Sequence, residues 1–147
     1  MATPSQRVRG QVLLRDGSQC VSCGTRTSPL EMQHRQAVGA GGSKHRPLAH
    51  ELATACSRCN MRFESDLQTR ALVFGWKVRR WVAQPGLVPM FNRARGQWGL
   101  LTSLGGFVPV TPAAAHARMR EVYGPQWDQW AEEIGLRTAA LTKGTDA

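Results

Sequence analysis

The sequence predicts an α+β fold: a β-β-α module pinned at two turns by cysteines, followed by a β-hairpin and two helices. Three observations carry this. The four cysteines fall as two C-x-x-C pairs, Cys20/Cys23 and Cys56/Cys59. Residues 30–34 alternate apolar and polar side chains, the pattern of a short strand that ends on His34. Beyond Cys59 the apolar spacing turns helical and stops at Gly75. The 147 residues make one domain, or a compact module with an appendage. With 41% hydrophobic and 20% charged residues, wholesale disorder is excluded.

In chain order, residues 4–16 form a helix with Val8, Val12 and Leu13 on one face, closed by Gly17. Cys20 to Gly24 is a tight turn, and 30–34 is the first strand. Residues 39–47 (GAGGSKHRP) are a glycine-rich basic loop. Residues 52–55 are the second strand and lead into Cys56. One helix then runs over 57–74, with Met61, Leu67, Ala71 and Phe74 along one side. Residues 76–81 (WKVRRW) are basic and aromatic. Residues 97–104 and 107–110, joined by Gly105 and Gly106, read as a hairpin. Pro112 and Pro125 each open a helix, through Val122 and Ile134, and the end from Thr138 is frayed. The natural division is a module over 1–81 and an extension over 82–147.

The charge balance narrows the function classes. Nineteen Lys+Arg against ten Asp+Glu give a net charge of +9, a field that attracts polyanions. Residues 1–10 lack the apolar run of a signal peptide, and no stretch of about 18 apolar residues occurs, so no membrane role is expected. The expected compartment is a reducing cytoplasm, where paired cysteines serve metals more often than disulfides. Two residues between thiolates let both face one ion, so the two pairs predict a four-thiolate structural Zn2+ site with no open position. Two disulfides or a redox pair are the alternatives.

Taken in order, Leu13-Leu14-Arg15-Asp16-Gly17, Cys20-x-x-Cys23-Gly24, Leu30-x-x-Gln33-His34-Arg35, Gly41-Gly42-Ser43 and Cys56-x-x-Cys59-Asn60 resemble the HNH endonuclease family. Within it the chain is similar to small HNH proteins of actinobacterial bacteriophages, and the likeness spans about residues 10 to 81. The resemblance implies the ββα-metal fold and metal-dependent hydrolysis of DNA. It makes His34 the general base for the attacking water, and Gln33 and Asn60 ligands of a catalytic Mg2+, Mn2+ or other divalent ion. Glu64, one helical turn beyond Asn60, would be a further ligand.

This chain departs from the family at two of these places. Gln33 stands where Asp or His is usual, and Glu51 (with His50 beside it) stands where the family has its central Asn. A carboxylate at Glu51 would accept an imidazole N–H and orient His34. Plainer roles remain for several residues. Asn60 is a good helix opener, Gln33 a bystander, His45 a solvent-exposed side chain, and His116 a tail-helix residue without chemistry. Arg35, Lys44, Arg46, Arg58 and Arg62 cluster in sequence around the site and form an expected DNA track. Lys77, Arg79 and Arg80 would extend it, with Trp76 and Trp81 either stacking on bases or, the favoured reading, packing the tail to the core. DNA is the expected partner, with a phage terminase as a possible second. The rival expectation is a non-catalytic DNA-binding or DNA-packaging accessory protein that keeps the zinc-stabilised fold.

Overall fold

The computed structural model describes residues 3–37 and 45–136, and all structural statements refer to these. Helix α1 (Gln6–Asp16) starts where the Ser5 hydroxyl accepts the Val8 N–H, and stops at Gly17, whose φ of 72° is left-handed. Strands β1 (Leu30–His34) and β2 (Leu52–Cys56) pair antiparallel, with Gln33 opposite Ala53 and His34 opposite Leu52. Because side chains alternate along a strand, the hairpin has two distinct faces. Leu52 packs with Val8, Val12, Ala49 and the partly buried Met32, on the α1 side. Ala53 and Ala55 join the cysteines, Phe63 and Trp76 on the other. Met32 and His34 thus belong to the first face, Glu31 and Gln33 to the second.

The single helix expected over 57–74 is two: α2 (Ser57–Arg62) and α3 (Gln68–Val73). The Arg62 carbonyl accepts from both Ser65 and Leu67, and the Arg62 guanidinium closes on Asp66 at 2.7 Å, so the chain turns where periodicity suggested continuation. Phe63, not Met61, is the buried apolar residue of this segment; Met61 is 74% exposed. On α1, Leu14 is solvent-exposed and Leu13 only half-buried, while Arg15 and Asp16 are buried.

The expected hairpin is the larger part of a three-stranded antiparallel sheet, β3 (Met90–Asn92), β4 (Gln97–Leu101) and β5 (Phe107–Val110). Helices α4 (Pro112–Tyr123) and α5 (Pro125–Glu133) follow as expected, and the end from Thr138 lies outside the described residues. Residues on both sides of position 81 share cores. Met90 and Leu101 pack with the cysteines, and Val73 and Val78 pack with Trp98, Met119 and Trp127. Phe74 joins the two clusters, its ring 5.0 Å from that of Trp76 and 5.8 Å from that of Trp98. Gly75, at φ 76°, lies so close to the Pro89 carbonyl that any Cβ would collide with it. Trp76 is buried as the packing reading expected, and its indole N–H donates to the Phe91 carbonyl at 2.9 Å. Trp81 is 65% exposed and touches the core only edge-on, through Tyr123.

Candidate functional site

Two places gather donor atoms. The first is the turn after α1 together with the junction of β2 and α2. Here the Sγ atoms of Cys20, Cys23, Cys56 and Cys59 lie within 4.8 Å of one another. All four are free thiols, and Cys23 and Cys56 stand 3.8 Å apart, far beyond a disulfide. With Zn–S bonds of about 2.3 Å, tetrahedral geometry puts sulfurs about 3.8 Å apart, so the spacing fits a zinc ion. Backbone N–H groups of Ser22 and Cys59 point at Cys20 Sγ and Cys56 Sγ, each at 3.4 Å, as donors that stabilise thiolates. Burial acts to raise the Cys20 thiol, but backbone hydrogen bonds from Cys23, Cys56 and Ser22 outweigh it and lower it overall. Burial raises Cys56, and it pushes Cys59 up to about 12, helped by the charge of Cys20. The cluster is fit to hold a metal ion, and it joins the two chain segments that flank the β1–β2 hairpin.

The second place is the end of β1. His34 lines a cavity of about 100 Å³ with Gln36, His50, Glu51 and Gly86. Burial lowers the ring below its ordinary value; Glu51 pulls it up and Lys77 adds to the fall. The Glu51 carboxylate accepts from the Leu48 N–H at 2.8 Å and meets His45 Nε2 at 3.0 Å. Burial acts to raise it, yet these partners and the nearby His50 hold it below the usual value. Glu51 therefore acts on His34 through its charge, and its hydrogen bonds go to Leu48 and His45. His50 Nδ1 is buried without a hydrogen-bond partner.

The residues expected to hold a second ion do not form a ligand set. Gln33 is buried, and its amide nitrogen donates to the Trp76 carbonyl at 2.7 Å, with Oε1 enclosed and unpartnered. Asn60 donates its amide to Glu31 Oε1 at 2.7 Å. Glu64 faces solvent and pairs with Lys77 Nζ at 3.4 Å. A hard cation prefers several free oxygens, whereas here one amide oxygen is sealed, the one exposed carboxylate faces an ammonium, and the other carboxylate is held elsewhere. Glu31 is a residue that sequence reasoning missed. It accepts Ser57 Oγ at 2.6 Å as well as Asn60, and these two hydrogen bonds lower its carboxyl. The signal was available: Glu31 sits two positions before Gln33, hence on the same strand face.

The expected DNA track divides. Arg58 and Arg80 are exposed, and exposed Arg46 reaches back to the Thr3 carbonyl. Arg62 is paired with Asp66, and the Arg79 guanidinium lies over the Trp130 ring. Lys44 lies outside the described residues, as does most of the glycine-rich loop. Arg35 is a correction: only 1% exposed, it donates to the carbonyls of Gly75, Val88 and His50 and cannot reach a phosphate. Burial and the neighbouring Arg15 charge bring it down to about 9. Three backbone oxygens that would otherwise lack donors explain why a charge tolerates the core there.

No helix among the described residues is long and apolar enough to cross a membrane. No protein family, curated protein or solved structure matches this chain.

Proposed function

We propose that the chain is a DNA phosphodiesterase of the HNH type, stapled by zinc at its four cysteines, with His34 as general base. The observation that carries the reading is the state of His34. Its ring lines a cavity at a strand end and titrates below its ordinary value through burial, so it is unprotonated at neutral pH. In that state it can take a proton from water as the oxygen bonds to phosphorus. The P–O bond to the 3′ oxygen then breaks, and that oxygen takes a proton from solvent. Exposed Arg58 and Arg80 and the net charge of +9 suit the approach of a phosphate backbone.

The test is nicking of supercoiled plasmid by the wild type beside His34→Ala, with zinc content and circular dichroism measured on both. Nicking by the wild type and none by a folded, zinc-loaded variant is the expected result. Cleavage that survives in the variant removes His34 from the mechanism.

A second reading is favoured by the engagement of Gln33, Asn60 and Glu64 with other partners. The chain would then be a non-catalytic DNA-binding or packaging accessory protein, working beside a terminase or another DNA-processing partner. DNA shifted in a gel without nicking, by protein of full zinc content, is its signature.

A further inference from the structure

The site at the end of β1 contains a fixed positive charge of its own. Lys77 Nζ donates to the His34 backbone carbonyl at 3.0 Å and faces Glu64 Oε2 at 3.4 Å. The lysine side chain is 15% exposed while that of Glu64 is 66% exposed, so the ammonium is seated and the carboxylate comes to it. Lys77 lines a cavity of about 140 Å³ with Phe63, Leu72 and Arg80, separate from the cavity that His34 lines but sharing Ala37 with it. The backbone is pinned as well: Lys77 N–H donates to Ala71, Val78 N–H donates to Arg35 at 2.7 Å, and Trp76 and Val78 on either side are buried. An ammonium has three donors. One is used on His34, one faces Glu64, and one is left.

A divalent ion arriving here would meet that ammonium at like sign, and Glu64, its only exposed carboxylate, is already neutralised. We propose that the Lys77 ammonium is the resident cation of this site, standing beside His34 in place of a divalent ion and offering its remaining N–H to a phosphodiester oxygen. The inference rests on the phosphodiesterase reading for its substrate, but not for its claim about the cation. As His34 takes the water proton and the P–O bond breaks, the charge gathering on the phosphoryl oxygens forms opposite the Lys77 ammonium. No added ion is required for that.

The experiment uses the zinc-loaded full chain in buffer stripped of other divalent ions, and has two arms. In the first, free Mn2+ is followed by electron paramagnetic resonance as protein is titrated. The wild type is expected to take up none at millimolar Mn2+, and Lys77→Met to bind it, because the exposed Glu64 carboxylate loses its competing charge. Uptake by the wild type overturns the proposal, and so does a folded Lys77→Met that binds no more than the wild type. In the second arm, nicking by the wild type is expected to be equal with and without Mg2+, to fall about a hundredfold in Lys77→Met, and to be largely kept in Lys77→Arg. Wild-type nicking that appears only with Mg2+ overturns the proposal. If the wild type nicks under no condition, the phosphodiesterase reading alone fails, and Mn2+ uptake still decides the cation. Lys77→Arg serves the Mn2+ arm if the methionine variant misfolds: it is expected to bind none, and uptake by it counts against the proposal.

Discussion

The cysteine cluster and the end of β1 lie at opposite ends of one small hairpin, Cys56 opposite Leu30 and His34 opposite Leu52, and they balance charge in opposite ways. At the cysteines, four sulfurs converge within 4.8 Å, and burial pushes one thiol up to about 12. At the strand end the Gln33 amide oxygen is sealed, the Glu31 and Glu64 carboxylates have protein partners, and the positive charge is a lysine fixed by two backbone anchors. The first place is incomplete without a cation; the second carries its own. Donor residues close in sequence therefore say little about metal binding until the competing hydrogen bonds are known.

The largest test of this contrast is removal of metal from the cysteines. Zinc sites of this kind contribute on the order of 10 kcal/mol to folding, comparable to the whole stability of a small domain. Cys56→Ala, or a strong chelator, is expected to abolish the cooperative thermal transition seen by circular dichroism. An unchanged Tm in metal-free protein would show that the hydrophobic core suffices.

Next in size is Arg35, a charge that sequence order places beside the site and packing places in the core. Arg35→Ala leaves three backbone carbonyls without their donor and is expected to cost about 3–5 kcal/mol in urea unfolding. A loss of DNA affinity at unchanged stability would return Arg35 to the phosphate track. Glu31→Gln is smaller. It weakens the anchor of Ser57 and Asn60 and is expected to cost about 1 kcal/mol by the same measurement, a typical net value for one hydrogen bond. No change would mean that α2 is held by the cysteines alone.

The smallest effect is in pH. The His34 ring has a lower pKa folded than unfolded, so the unfolded chain binds more protons as pH falls through about 6.5. The stability contributed by the neutral ring is fully present above that value and declines as pH drops toward the folded pKa. His34→Gln should flatten the Tm-against-pH curve over that window alone. An identical slope in the variant would assign the pH response to another group.

How far the chain could be read from its letters follows from where each residue's partner lies. The hairpin strands and α1 were legible because alternation and capping are local, and the cysteine cluster because C-x-x-C spacing constrains both ends. The break between α2 and α3 was not, since Arg62 and Asp66 at i, i+4 suit a continuous helix equally well. Strand β3 has three residues and a buried Asn92, and it exists because β4 lies beside it. Arg35 and Arg15 have the letters of solvated charges. Their carbonyl partners stand far away in sequence, as with Arg15 and the carbonyls of Ala49 and Leu52. Gln33, Asn60 and Glu64 were placed near His34 by resemblance, but what each one bonds to depends on Trp76, Glu31 and Lys77, which no motif includes.

Asn92 donates to the Arg15 carbonyl and to Asp16 Oδ1, while Asp16 accepts from Thr54 N–H and from Arg15. Three stretches distant in sequence thus meet at one sealed carboxylate. During synthesis, a nascent chain has all four thiols once Cys59 emerges, but the amide that completes the Asp16 cluster comes later, with Asn92. Met90 and Leu101, which pack on the cysteines, come with the same late stretch. The thiols are thus available to an ion while the side chains that will bury them are still inside the ribosome. Closure of the core around the cysteines therefore waits on residues 90–101, whereas the four thiols are all present by residue 59.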